Sequence, residues 1–431
     1  MRFRSLIRPL FRVALFATLA LSTSRGFTQE AWKDPRINLW YFRNLNSGTG
    51  ADNLLTLHYT AGRIEDHFLK PSPWNEEGWF GKGSAIGYRL LKVYFVDFDL
   101  LVFYTAVPQH EIFGHGYRAR EFGFGDPSYD FSPPPPFGEG TGLTTFTYPP
   151  TGRTPDQELS VSMGGVEASG VMSGKIRRYW LMAGNMDFHG SLLYMTTVGD
   201  LRNYLDQTDE EQLDTDPDLS NDMLNYIKVL NAKVDRTKRS NFRLHLSQMK
   251  KKSAIAFADP FLWYSYWTVL KTHIWSGQSV FAYPAIPLGP VRYLPLLGYG
   301  LTLWGPEYQF DNMLALDQRV LTFRVRIGDD TFRSSWGTDL DVLNVVSLLG
   351  FDFDVGLHLW KQPRLRLNVN DIELEPSLYG GGGSLDMFSP DLGMPFPSRL
   401  AGGIDYKTSG FTPGKDLERG PAWRIGLNIP L

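Results

Sequence analysis

The chain has 431 residues, with 43 Lys and Arg against 46 Asp and Glu, 42% hydrophobic residues and no cysteine. This composition excludes a disordered chain, and the near-neutral balance excludes a dedicated nucleic-acid binder, which needs a basic excess. The missing thiols exclude Cys-ligated zinc, Fe–S clusters, thiol nucleophiles and disulfide scaffolds together.

Residues 1–24 have the layout of an export signal: Arg2, Arg4, Arg8 and Arg12, an apolar stretch over 13–21, then Ser22, Thr23 and Ser24. The apolar stretch is too short to span a bilayer. The expected destination is the periplasm or the outer membrane.

Residues 25–278 read as a mainly helical region. Short strands are expected at 37–42 and 54–59. The apolar segment 88–107 has the length of a membrane span, but Arg89, Lys92, Asp97 and Asp99 interrupt it. It is therefore expected to be a core helix, or a strand plus a helix. Pro108 suits the first turn of a new helix. Residues 123–153 are loop-like with one strand near 142–148. Thr154-Pro155-Asp156-Gln157 starts a helix that runs to about Ser173 and is rich in small residues. A further helix is expected over 178–205. Residues 206–222 carry only acidic charges and read as a solvated connection, because Leu219 and Asn225 stand where a calcium loop needs Gly and Glu. Residues 256–275 form an aromatic-rich helix candidate interrupted by Pro260.

One cluster carries chemistry: His110-Glu111-Ile112-Phe113-Gly114-His115. On a regular α-helix residues five apart diverge by about 140°, so the two imidazoles converge only if the turn gains a residue. A π-helical turn, at about 4.4 residues per turn, brings them back to within roughly 50°, and Gly114 lowers its cost. The motif resembles the His-Glu-x-x-Gly-His of the dipeptidyl-peptidase III family of zinc peptidases. That resemblance implies His110 and His115 as Zn²⁺ ligands, Glu111 as catalytic base, and a carboxylate on a later helix as third ligand. Glu167 is the candidate for it, with His189 as the alternative. Tyr117, Arg118 and Arg120 follow the motif as candidates to stabilise an oxyanion, Tyr117 first. A pair of structural histidines, with Glu111 bonded to Arg118 or Arg120, is the alternative reading.

From about residue 279 the texture becomes period-two alternation. Leu321, Phe323, Val325 and Ile327 alternate with Thr322, Arg324 and Arg326, and the pattern recurs at 351–360, 365–370 and 423–429. Residues 279–431 are therefore an antiparallel sheet with one apolar face. They resemble bacterial outer-membrane β-barrel proteins, which implies membrane association; a soluble sheet packed on the helical half is equally compatible. The expected class is α+β: a helical metal-site region followed by an antiparallel sheet or barrel. The expected activity is that of an exported zinc-dependent hydrolase acting on a peptide or protein, with a non-catalytic envelope barrel protein as the alternative.

Overall fold

The computed structural model describes residues 36–430 apart from 42–44, 70–71, 73–75, 126, 151, 210, 212–220, 238–241, 318, 330–333, 369–376 and 394–397. The expected export signal and most of the acidic connection lie outside the described residues. The class is α+β, helices first and a large antiparallel sheet after them.

Strand β1 (Arg36–Tyr41) precedes α1 (Ser47–Phe68). The strand expected at 54–59 is instead the middle of α1. The Asn46 side chain caps the helix by accepting from the Thr49 N–H at 3.0 Å, and 22 continuous residues satisfy their own backbone. One long helical run follows: α2 (Gly78–Lys92), a π-helical stretch (Val93–Val102), α3 (Phe103–His110), a π-helical turn (Glu111–His115) and α4 (Gly116–Glu121). Pro108 does not start a helix; it lies inside α3, where the neighbouring π geometry relaxes the backbone around its missing donor. A hairpin of β2 (Ser128–Ser132) and β3 (Thr141–Thr145) comes next.

Helix α5 (Pro155–Ala183) runs ten residues past its expected end. Its start is as read: Thr154 accepts from Gln157 N while the Gln157 side chain accepts from Thr154 N. It stops at Gly184, which adopts φ +76°, a left-handed conformation that favours glycine. Thus the helix expected over 178–205 is two pieces, the end of α5 and α6 (Phe188–Gln207). Asp187 caps α6, accepting from Gly190 N at 2.6 Å, and β4 (Met186–Asp187) lies between the two helices. Helices α7 (Asp222–Thr237), α8 (Leu246–Ser253) and α9 (Pro260–Trp267) follow, the last continued by a π-helical stretch (Thr268–Trp275) and by β5 (Val280–Phe281), which pairs with β4.

The remaining strands are β6 (Ile286–Leu288), β7 (Val291–Thr302), β8 (Gly305–Leu316), β9 (Arg319–Gly328), β10 (Trp336–Leu348), β11 (Phe351–Pro363), β12 (Ser377–Phe388), β13 (Arg399–Lys407) and β14 (Gly420–Pro430). They form an antiparallel meander in sequence order, and β1 returns to pair with β14, so the N-terminal strand belongs to the C-terminal sheet. The sheet has ten strands with β1 and β6 at its edges, and among the described residues no strand pairing closes it.

The alternation forms strands at 321–327, 351–360 and 423–429, whereas 364–368 belong to no strand and 369–370 lie outside the described residues; its polarity is inverted relative to a soluble sheet. The face toward α5 carries ion pairs: Arg324 with Asp311, Arg326 with Asp339, Arg424 with Asp386, and Arg177 of α5 with Asp311 at 3.4 Å. The opposite face leaves Phe323, Ile327, Leu359, Ile404 and Trp423 exposed. Apolar packing of strand residues against α5 is concentrated at the β7–β9 end, where Leu294, Leu296, Met313 and Val320 join a core with Met172, Ile176 and Trp180, while Leu367, Phe411 and Leu417 of later connections pack with Leu159 and Met163. The sheet therefore does not rest its apolar face on the helical half.

Candidate metal centre

The turn Glu111–His115 is π-helical, and the two imidazoles meet: His110 Nε2 and His115 Nε2 are 3.1 Å apart. Close approach to α5 makes this turn possible. A Cβ on Gly114 would stand 2.6 Å from Gly164 O, and one on Gly165 would stand 2.1 Å from His110 Nε2. The small residues of α5 let the histidine turn lie against its backbone. Arg120 secures the same turn, donating to Ile112 O at 3.1 Å.

The third group is Asp222, the first residue of α7. Its Oδ2 is 3.0 Å from His115 Nε2 and 3.7 Å from His110 Nε2. The opposite ring nitrogens decide the tautomers. His115 Nδ1 lies 2.7 Å from Val161 O, which only accepts, so Nδ1 carries the proton. His110 Nδ1 lies 2.8 Å from Asp200 Oδ2 and donates likewise. Both neutral rings would then direct a lone pair at the other's and at a carboxylate oxygen, an arrangement that a shared cation or a proton relieves. Around an ion with bonds of about 2.0–2.2 Å at tetrahedral angles, ligand atoms stand about 3.3–3.6 Å apart, and the three observed separations bracket that. His110, His115 and Asp222 thus form a group that could hold a metal ion, with Asp200 and Val161 O fixing its rings from outside.

Burial by itself disfavours charged imidazoles here. The carboxylates of Asp200 and Asp222 outweigh it and hold His110 well above its ordinary pKa; Asp222 also raises His115, against the opposing charge of His110, and Glu111 adds to both. Asp222, despite its desolvation, is held well below the usual carboxylate range by the facing imidazoles. In the metal-free protein a proton takes the cation's place.

Glu111 is buried beside the pair. Thr144 of β3 donates to its Oε2 at 2.6 Å, so the β2–β3 hairpin orients the carboxylate. Tyr204 lies on the other side, its ring stacked on His110 at 5.2 Å and its hydroxyl 3.2 Å from Nε2. Burial, with Asp222 and Asp200 nearby, raises the Tyr204 pKa, so the phenol stays protonated and able to donate.

The other expected residues stand elsewhere. Glu167 is not in the group: Arg118 binds its carboxylate through Nη2 at 2.7 and 2.9 Å, and Gly414 N donates to it at 2.8 Å. The Arg118 guanidinium fork is a better partner for a buried carboxylate one helix face away from the histidines. Tyr117 is buried with its hydroxyl donating to Asp416. His189 belongs to a second cluster, 2.9 Å from Glu65 and 3.4 Å from Asp97. Neither Arg118 nor Arg120 takes Glu111 as its partner; they bind Glu121 and Glu167, and Tyr129 and Ile112 O.

Asp222, Asp200 and Tyr204 were not legible as site residues. Asp222 follows His115 by more than a hundred residues and reads as the last acid of a charged connection. The only local signal is that Asp200 and Tyr204 are four apart and share a face of α6.

Gly165→Ala tests the packing directly. The added methyl displaces the His110 ring, so affinity for any metal held there is expected to fall by at least the roughly 10–100-fold typical of a lost outer-shell partner. Stability should fall by about 1–3 kcal/mol from overpacking, offset in part by alanine's better helix propensity. Metal analysis and thermal unfolding of the same sample check both halves.

No family model matches this chain, and neither a curated protein nor a solved structure matches it.

Proposed function

We propose that this chain is an exported zinc-dependent hydrolase of peptide bonds, with its centre at His110, His115 and Asp222. The observation that carries the reading is the convergence of two Nε2 lone pairs and a carboxylate oxygen at one point, beside a buried Glu111. His110, His115 and Asp222 would hold a divalent ion, which would supply Lewis acidity toward a water and a carbonyl oxygen. Glu111, oriented by Thr144, takes the proton of the attacking water and delivers it to the leaving amine. The Tyr204 hydroxyl donates to the oxyanion that develops on the carbonyl. Asp200 keeps His110 in the tautomer that presents Nε2.

Cleavage of a quenched fluorescent casein by the zinc-loaded chain tests this. Glu111→Gln is expected to lose about 10²–10⁴-fold in turnover while retaining its zinc. Equal turnover in the two proteins, or cleavage insensitive to zinc removal, would sink the proposal.

Zinc uptake should also weaken with acid, since binding must displace the protons of His110 and His115. Both pKa values are raised, so the loss begins above the ordinary imidazole range near about 6.5. Below it, affinity drops roughly ten- to hundredfold per pH unit as one or both rings are protonated. The sign of the stability effect is opposite for the metal-free chain: its protonated pair stabilises the fold at low pH, and that contribution is lost as pH rises through the raised values. Chelator competition across pH measures the first, and unfolding of the apo-protein the second.

A second reading, that the sheet sits in the outer membrane, is favoured by its exposed apolar face and can hold together with the first. Register places Tyr299, Tyr308, Ile327, Trp336, Lys361 and Tyr379 as one row across β7–β12. Aromatic residues with a lysine in a row fit the girdle of a membrane barrel, and strands of 9–13 residues fit its height.

A further inference from the structure

The helical half repeats the inverted polarity of the sheet. Along α2, the π-helical stretch after it and the start of α3, Arg89, Lys92 and Asp97 are buried, whereas Leu91, Phe98 and Tyr104 are exposed. Arg89 Nε donates to Ile274 O at 2.8 Å, Lys92 Nζ sits 2.5 Å from Glu65, and Asp97 faces His189. On α9 and its π-helical continuation, Ser265, Thr268 and His273 point in while Trp263, Trp267 and Leu270 point out. A helix facing water carries these chemistries the other way round.

These segments also connect the two open edges of the sheet. At the β1 edge, Trp40 N donates to Asn53 of α1 at 2.6 Å and Trp40 Nε1 to Asp52 at 3.1 Å. Helix α1 meets the next segment through Glu65 and Lys92, and α2 meets Thr268–Trp275 through Arg89 and Ile274. Tyr264 of α9 reaches Pro284 O at 3.5 Å, just before β6.

We propose that α1, the stretch from α2 to Tyr104, and α9 with its continuation complete the ten strands as one lipid-facing wall, with α5 and α6 inside. The inference rests on the reading of the sheet as a membrane sheet. The occupant of the helical face is the hydrocarbon of a bilayer, because the apolar surface runs over strands and helices alike, and a protein partner covers only one patch. Trp275 supports the match: Lys82 and Lys271 lie over its ring at 4.8 and 5.2 Å, pairing an amphipathic aromatic with cations suited to lipid phosphates. Among the described residues no helix is long and apolar enough to cross a membrane by itself. A wall helix needs apolar residues on its outward face alone; inward, Arg89, Lys92 and Asp97 meet Ile274 O, Glu65 and His189. The outward run ends at Tyr104, so the histidine pair lies beyond it along the same helix.

The absence of cysteine makes the test clean, since any introduced thiol is unique. Nitroxide labels at Leu91→Cys and Leu270→Cys, with Leu359→Cys on the sheet and Lys251→Cys as the water-exposed reference, are compared in the full chain in dioleoylphosphatidylcholine vesicles. Phe98→Cys and Trp267→Cys replace either helical site whose variant loses the wild-type circular dichroism. The expected result is an oxygen-over-nickel-chelate collision ratio several-fold above that of Lys251, and similar at Leu91, Leu270 and Leu359. A high ratio at Leu359 with low ratios at the helical sites, or helical labels shielded from both reagents, overturns the helical wall and leaves the membrane sheet standing. A low ratio at Leu359 as well overturns the sheet reading and this inference with it.

Discussion

Replacing His115 with alanine is expected to remove stoichiometric zinc from the purified chain. Its Nε2 lies 3.0 Å from Asp222 and 3.1 Å from His110, so its loss leaves two donors where three converge. Loss of an outer-shell partner costs about 10–100-fold in metal affinity, and loss of a direct ligand is expected to exceed about 100-fold. Asp200→Asn sets the scale for the lesser effect, since it only loosens the His110 ring. Glu167→Gln is the decisive contrast: with its carboxylate held by Arg118 it should leave the zinc content unchanged. Metal analysis after chelator competition separates the three, and full zinc in His115→Ala would remove the centre altogether.

Arg118→Ala is expected to be the most destabilising of these substitutions. Its guanidinium is 1% exposed and binds Glu167 at 2.7 Å, Glu121 at 2.7 Å and Lys415 O at 3.2 Å. Both carboxylates are themselves buried, at 4% side-chain exposure. Removing the cation leaves them without compensation, a change that typically costs about 3–5 kcal/mol. Arg118→Lys keeps the charge but not the two-pronged geometry, so it should fall between. Thermal unfolding followed by circular dichroism checks the order; a loss under about 1 kcal/mol in Arg118→Ala would mean these carboxylates are not held as described.

Arg118 also explains how Glu167 misleads as a ligand candidate. In one dimension Glu167 is an acid on a later helix at a suitable distance from His115. Which acid faces the imidazoles depends on the rotation of α5 and on what else competes for the carboxylate. Arg118, three residues after His115, wins that competition. Asp222 reaches the site because α7 packs against α5, where Met223 and Ile227 join Leu159 and Met163 in one core.

The legible parts were those that depend on a few neighbouring residues. The five-residue spacing with Gly114 required a turn that gains a residue, and the π-helical turn is there. Thr154-Pro155-Asp156-Gln157 named its own helix cap, and the alternation after residue 279 named an antiparallel sheet. Residues 54–59 failed as a strand because a short apolar run has no period long enough to distinguish β from helix.

Left to the chain alone were the local geometry of the histidine turn, the class of fold and the existence of one apolar sheet face, since each follows from bonding and periodicity within about one element. Which carboxylate faces the two imidazoles, the partner of Glu167 and the direction in which the apolar face points were decided only by tertiary structure. Those depend on contacts between residues up to hundreds of positions apart, such as β1 with β14 or Tyr117 with Asp416, whose pairing energy leaves no periodic trace in the order of the residues.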